Sequence, residues 1–399
     1  MYRFKSYLNT AQVIIESYKG QEPLPVFLKR FFSAGKKYGS RDRKQITSLC
    51  FNFYRLGKAA VNTSIEERII IGTFLCENTS NEWLKFFKPH WDALIHEPLE
   101  NKISIAKLKI NPEDIFPFLN VLSKEISPVL FCESFLIQPD LFLRIRISRS
   151  ASLFEKINKL KIPYNLIGTD CIALPNGTKI EDVLDIDREV VIQDYSSQQV
   201  FNYLKDEKVL EPLSHLMHFE VARNGYVYNV WDCCAASGGK SILLFDILKR
   251  KVDITVSDIR LNVLINLHQR FKKAGIKRYN YFLSDLCADE LPVDSPKYSI
   301  ILCDVPCTGS GTWSRTPEQL YFFNKETIAE YSSKQKKIVS NTVKFLQKDG
   351  LFIYSTCSVF KAENESIVDY IQKLHLQLLH MELIKGYDKK SRYYVCSRF

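Results

Sequence analysis

Two cysteines stand where covalent chemistry could be done. One lies in Asp304-Val-Pro-Cys-Thr-Gly-Ser-Gly311, the other in Ser355-Thr-Cys-Ser358. Each follows an apolar run that reads as a strand, Tyr298–Cys303 and Leu351–Ser355. As parallel neighbours, those strands would bring Cys307 and Cys357 to one edge of a sheet, exposed where a structural cysteine would be buried. The chain has no C-x-x-C pair, and its seven histidines show no ligand spacing near the cysteines. Redox dithiol and zinc chemistry are therefore not expected. Two thiols at one site point instead to a covalent intermediate. Lys240 is expected close enough to favour a thiolate.

A second constellation lies upstream, in Asp232-Cys-Cys-Ala-Ala-Ser-Gly-Gly-Lys240. It falls between a strand at Tyr226–Trp231 and a helix at Lys240–Leu248. Small residues let backbone approach a ligand, and the free N–H groups of a helix start attract an anion. A P-loop fails because Cys234 stands where its first glycine is required, and a G-x-G-x-x-G fingerprint fails because Gly238 and Gly239 are adjacent. A turn for another adenosine-type cofactor remains, with Cys234, Ala235, Ala236, Ser237, Gly238, Gly239 and Lys240 as its lining. Asp258 follows the second strand, Asp253–Ser257, 19 residues beyond Gly239. It could accept hydrogen bonds from ribose hydroxyls, or serve only as a helix N-cap. Asp285 follows the third strand, Tyr279–Leu283, and could reach an adenine amine.

A reaction that uses two thiols, an acid and such a cofactor is alkylation of a pyrimidine at carbon 5. That carbon is a poor nucleophile until a thiolate adds to carbon 6. It can then attack a sulfonium methyl group, after which the carbon-5 proton and the sulfur must both leave. A second group near the ring assists release, and an acid beside ring nitrogen 3 offsets the charge that builds there. Cytosine in RNA fits, provided that it is unstacked to enter the pocket.

These groups need a sheet to position them. From Val190 onward strands alternate with helices, the remaining helices being expected at Arg260–Lys273, Lys325–Leu346 and Ala362–Leu374. This is the pattern of an α/β fold with a mostly parallel sheet, whose ligands sit beyond the carboxyl ends of the strands. Residues 131–189 read as a small α/β connecting unit: strands Leu141–Ile147, Tyr164–Ile167 and Cys171–Leu174, and a helix from Phe154 to Leu160. Arg144 and Arg146 share one face of the first of these strands, there to meet a phosphate backbone or water. Residues 1–130 read as helical. Lys29, Arg30, Lys36, Lys37, Arg41, Arg43, Lys44, Arg55 and Lys58 leave only Asp42 in opposition, a surplus of +8 in thirty residues. With Tyr38 among them they form either a phosphate-contacting patch or a solvated helix face.

Composition agrees. The 399 residues carry 46% hydrophobic and 25% charged side chains, which excludes a disordered chain or a fibre. The net charge of +10 suits a polyanionic partner without demanding one. No apolar run approaches the ~20 residues of a membrane span, and the first residues lack a secretory signal pattern. A cytoplasmic, metal-free and monomeric protein is expected. Eleven cysteines in such a chain argue against a disulfide framework; Cys50, Cys76 and Cys132 read as small buried hydrophobes.

The motifs resemble those of the RsmB/Nop/Sun-type RNA cytosine-5 methyltransferases. Cys234–Lys240 is similar to the family's C-A-A-P-G-G-K, and Asp304–Gly311 matches D-x-P-C-S/T-G-x-G. Thr356-Cys-Ser358 with Glu363-Asn-Glu365 matches T-C-S and its acidic E-N-E, and Val191–Gln198 is similar to the lead-in V-Q-D-x-S-S-Q. The resemblance spans residues 190–399. Gly39-Ser-Arg-Asp-Arg43 before an apolar helix also looks like the NusB-like helical domain of bacterial members. The resemblance implies a class I, Rossmann-like S-adenosylmethionine-dependent domain at 190–399 behind a NusB-like RNA-binding domain at 1–130. It implies Cys357 as nucleophile, Cys307 in product release, Asp304 orienting the cytosine and Lys240 beside the reacting ring. S-adenosylmethionine would lie on Cys234–Lys240, with Asp258 on its ribose, Asp285 near its adenine and Asp304 at the shared edge. The implied substrate is 16S ribosomal RNA. Transfer RNA is the alternative, as is an RNA-binding ribosome-assembly factor with vestigial activity; a small-molecule methyltransferase fits the sheet but not the second cysteine. Two departures stand out: Ser237 and Lys361 occupy positions where the family commonly has proline. Ser237 is expected to loosen the cofactor loop.

Overall fold

The computed structural model describes residues 2–399 apart from 36, 107–109, 147–149, 160, 221–224, 292–296, 387–389 and 392. Lys36 of the basic run, Ile147 at the end of the first small-unit strand and Leu160 at the end of its helix lie outside the described residues. The chain divides into two compact units.

The first unit takes in Met1–Leu122, Ile126–Gln138 and Thr312–Lys325. Its longest helices are Tyr2–Ser17, Leu24–Ala34, Ser40–Arg55 and Ile65–Cys76. In helix Ser40–Arg55 the buried Ile46, Leu49, Cys50 and Phe53 recur at helical spacing, so one stripe faces the core. The Asp42 carboxylate accepts the Gly39 N–H at 3.0 Å and so closes the helix start. The late segment Thr312–Lys325 packs here too: Glu318 accepts the Leu24 N–H at 3.2 Å, and the Phe322 ring meets Tyr18 at 5.5 Å.

The second unit takes in Ser123–Glu125, Pro139–Gly311 and Glu326–Phe399. It contains a small antiparallel sheet of β1 (Leu141–Ile145), β2 (Asn165–Ile167), β3 (Cys171–Leu174) and β4 (Val190–Ile192) in the order β2-β3-β1-β4. Its large sheet has eight strands: β5 (His218–Glu220), β6 (Gly225–Asp232), β7 (Val252–Asp258), β8 (Asn280–Leu283), β9 (Tyr298–Asp304), β10 (Leu346–Thr356), β11 (His380–Ile384) and β12 (Tyr394–Arg398). The order is β11-β12-β10-β9-β6-β7-β8, with β5 paired to β6. Strands β6 to β10 are mutually parallel where they pair; β5, β11 and β12 run antiparallel at the margins.

Alternation along the central strands covers both faces of this sheet. Val230, Ile300, Leu302 and Ile353 point to one side, where helices Gly239–Ile247 and Leu261–Ala274 supply Ile242, Leu243, Leu264 and Phe271. Trp231, Ile301, Cys303, Phe352 and Tyr354 point to the other, where helices Thr327–Val343 and Glu365–Gln372 supply Ile338, Val339, Ile367 and Ile371. This is a Rossmann-like three-layer α/β fold. Because β7 lies on one side of β6 and β9 on the other, chain direction across the sheet reverses between β6 and β9, and ligand sites form at such a point.

Candidate active site

The loop after β6 is held at both ends. The Cys233 N–H donates to Leu302 O at 3.0 Å and the Ala235 N–H to Ser257 O at 2.9 Å, so the loop continues the two neighbouring strands. Gly238 then turns the chain at φ 79°; a Cβ there would stand 2.7 Å from the Phe271 ring. That contact and the left-handed backbone both require glycine. Gly239 opens the helix, and a Cβ on it would meet nothing nearer than Arg270 Nη1 at 3.7 Å. Small residues, free helix-start N–H groups and open space thus form a cradle for an anionic or polar ligand.

Beneath the cradle Asp232 is buried. One carboxylate oxygen accepts from Ser241 Oγ at 2.5 Å, while Oδ1 has no partner. Burial pushes its carboxyl up to about 7, against the pull of the Ser241 hydrogen bond. Asp258 ends β7 and is also buried. Its oxygens accept from the Ala236 N–H at 3.0 Å, from the Arg260 N–H and Nε at 3.0 Å each, and from Arg260 Nη2 at 3.3 Å. Asp285 is exposed beyond β8 and accepts the Cys287 N–H at 2.9 Å.

The loops after β9 and β10 meet. Asp304 pairs in register with Ser355 on parallel strands, and the Cys307 and Cys357 sulfurs lie 3.3 Å apart. Gly311 allows the approach: its N–H donates to Cys357 O at 2.9 Å, and any Cβ would sit 2.9 Å from that oxygen. Both cysteines are half-buried rather than sealed in packing. The Cys307 thiol is pushed well above its ordinary value by its hydrogen bond with Cys357, by burial and by the Glu363 charge, so its resting form is the thiol. Asp304 accepts from Ser355 Oγ at 2.7 Å and from Lys240 Nζ at 2.6 Å.

Several expectations are corrected here. The direct partners of Lys240 are not thiols: its ammonium donates to Asp304 and to Tyr394 OH at 3.2 Å, lying 4.5 Å from the Tyr394 ring centre. Burial alone would lower its pKa, but Asp304 and Tyr394 outweigh it and hold the charge. Arg144 and Arg146 reach neither phosphate nor water, because both are buried against the Asp246 carboxylate at 2.7 and 2.6 Å. Arg55 leaves the basic run for the core, where it donates to the carbonyls of Phe135, Ile137 and Ser314. Ser237 is tethered rather than loose: Arg270 Nη1 donates to its O and Oγ at 2.9 and 3.0 Å while the same guanidinium pairs with Asp187.

The sequence reading gave no role to Arg270, Asp187, Tyr394 or Glu363. Only Glu363 carried a signal, its place beside the T-C-S turn. Among the described residues one trio, His218 and Glu220 on β5 with Asp253 at the start of β7, brings possible ligand atoms within 4.8 Å of one another.

Residues 223–393 match the family model described as 16S rRNA methyltransferase RsmB/F. The chain is 24% identical over 241 residues to a probable ribosomal RNA small subunit methyltransferase B of Bacillus subtilis, covering 59% of this chain and 50% of the relative. It is 30% identical over 155 residues to a tRNA (cytosine(72)-C(5))-methyltransferase of Pyrococcus horikoshii, covering 39% of each. The chain thus spans half or less of the length of these relatives. Among solved structures, that of PH0851 shares the fold with a TM-score of 0.67 at 15% identity, covering 94% of each chain. The stretch that carries the central strands and both cysteine loops is therefore similar to the RsmB/Sun-type RNA methyltransferases.

Proposed function

We propose that this protein transfers a methyl group from S-adenosylmethionine to carbon 5 of a cytidine in RNA, with small-subunit ribosomal RNA as the substrate. The observation that carries this reading is the pair of sulfurs 3.3 Å apart at the ends of two parallel strands, beside Asp304 and Lys240. The cradle of Ala235, Ala236, Gly238 and Gly239 suits the amino-acid end of the cofactor, with Asp258 and Asp285 along the line that its ribose and adenine would take. When bound, S-adenosylmethionine supplies an electrophilic methyl group.

The residues divide the work. Cys357 Sγ bonds to carbon 6 of the cytosine, which makes carbon 5 nucleophilic. Asp304 orients the ring by accepting a hydrogen bond from its exocyclic amine, while the Lys240 ammonium, paired with Asp304, supplies the positive charge that offsets what develops on the ring. After methyl transfer Cys307, having released its own proton to solvent, takes the carbon-5 proton. The electrons of that C–H bond re-form the double bond between carbons 5 and 6, and the bond between carbon 6 and Cys357 breaks to return Cys357 as a thiolate. In the helical unit Lys29, Arg30, Lys37, Arg41, Arg43 and Lys44 are exposed and suited to phosphate contact.

Replacing Cys307 by Ser tests the scheme: an RNA adduct should accumulate on denaturing gels, and Cys357→Ala should abolish it together with methyl transfer. Normal turnover by Cys357→Ala would overturn the assignment. The match to a transfer RNA methyltransferase makes transfer RNA the second substrate to assay. Bisulfite sequencing of total RNA, with and without the gene, separates the two.

A further inference from the structure

One carboxylate lies between the two cysteine loops. Glu363 has 0% exposure. Its Oε1 accepts the Thr308 N–H at 2.9 Å and Gln335 Nε2 at 3.1 Å. Its Oε2 accepts the Thr308 hydroxyl at 2.6 Å and the Ser358 hydroxyl. Thr308 is the residue after Cys307, and Ser358 the residue after Cys357. An ionised carboxylate is an acceptor only, and these four donors use the sites that it offers. Neighbouring bonds complete the brace. Val359 donates to Ser310 Oγ at 2.9 Å, Gln335 also donates to Pro306 O at 3.1 Å, and Tyr354 OH donates to the Glu363 carbonyl at 2.6 Å.

We propose that Glu363 is a positioning residue for the thiol pair: by gripping the residue after each cysteine, its carboxylate sets the distance between Cys307 and Cys357. This rests on the reading above, in which both sulfurs address one ring. The two loops are irregular backbone beyond the sheet ladder, so the strands alone do not fix their tips. The hydrogen bonds of Glu363 to the loops run through Thr308 and Ser358, and its charge also raises the Cys307 thiol. Glu363→Gln on its own would therefore favour the thiolate and speed alkylation, so a slower cross-link reports spacing. A carboxylate that only satisfied buried donors would matter for stability and not for the spacing of the thiols.

Two measurements distinguish these roles. Dibromobimane bridges nearby thiols, and its cross-linking of Cys307 to Cys357 in the protein alone, read by peptide mass spectrometry, needs neither RNA nor cofactor. In Glu363→Gln the cross-linking rate should fall by at least about fivefold, and kcat for methyl transfer by about 100-fold with KM for RNA unchanged, as for a displacement of ~1 Å. Ser358→Ala removes one of the four grips and should give a smaller fall in both. Folded Glu363→Gln with an undiminished cross-linking rate overturns the proposal. If that variant does not fold, undiminished cross-linking in Ser358→Ala overturns it. Loss of cross-linking in Glu363→Gln, alongside a wild-type protein that transfers no methyl group, upholds the positioning role and overturns only the catalytic reading.

Discussion

Asp232 and Asp258 lie at the carboxyl ends of adjacent strands, yet their surroundings set them to different tasks. Asp232 keeps one oxygen unpartnered in the interior, and burial lifts its carboxyl from 3.8 to about 7. A raised acid stays protonated in the native state after the unfolded chain has ionised. It therefore costs nothing below the unfolded value, and stability drains away as pH rises from about 4 to about 7. Asp232→Asn lacks this term. Relative to that variant, the wild type should lose at most about 4 kcal/mol across the window, read from urea unfolding at several pH values. Parallel profiles for the two proteins would contradict the assignment. Asp258, in contrast, already receives hydrogen bonds at both oxygens, two of them from the Arg260 side chain. Under the proposed function, a ribose bound by Asp258 would displace that guanidinium. Arg260 is 59% exposed, so solvent screens the pair, and displacement costs about 1 kcal/mol at most. Arg260→Ala should then bind S-adenosylmethionine up to about fivefold more tightly by calorimetry. Weaker binding would make Arg260 a ligand of the cofactor instead of a competitor for Asp258.

At the scale of elements, the arginine pair shows what a pattern of residues can and cannot report. The alternation Leu141-Phe-Leu-Arg-Ile-Arg implies a strand with one polar face, and β1 is that strand. It does not tell what covers the face. Helix Gly239–Ile247 does, and its Asp246 answers both arginines below 10% exposure. Removing the single anion leaves two cations buried without compensation. Asp246→Ala should therefore destabilise the second unit by about 3–5 kcal/mol, measured as a shift in urea midpoint. A change under about 1 kcal/mol would mean that water reaches the arginines. The same limit explains the elements that local pattern missed. Strands β6 to β10 are apolar runs bounded by polar turns, and the sequence reading placed all five. The strands β4 and β5 have three residues each, while β11 and β12 sit at the sheet margin with mixed polarity. Their pairing is decided by partners far along the chain. Tyr394, the second partner of Lys240, lies on one of them. Thr312–Lys325 likewise follows a cysteine motif directly but folds with the helical unit, through Glu318 and the aromatic rings of Tyr321 and Phe322. The two cysteines and their meeting at one sheet edge were legible, because residue type and the end of an apolar run are local facts. Their support, in Glu363 and Arg270, was not, because it is made of contacts between separate loops.

For the whole molecule, the charge balance offers a test of which surface would meet the proposed RNA substrate. The net +10 is concentrated early in the sequence, yet burial of Arg55 removes one charge from the run, and the Lys58 ammonium is engaged by the Tyr321 carbonyl. Arg43 donates to Tyr38 O and Arg30 pairs with Glu22. Lys37, Arg41 and Lys44 remain exposed, the last two separated by three residues on helix Ser40–Arg55 and so on one face. Contacts to phosphate release counterions, and each contributes about 0.7–0.9 to the slope of log affinity against log salt. Changing Lys37, Arg41 and Lys44 together to Glu should reduce the magnitude of that slope by about 2–3. S-adenosylmethionine binding and the cross-linking of Cys307 to Cys357 should be unchanged, because both depend only on the second unit. An unaltered slope would identify the basic run as a solvated helix face and move the phosphate contacts to other cations. A changed slope together with lost cross-linking would mean that the substitutions act on folding, which the thermal unfolding of the same variant would reveal.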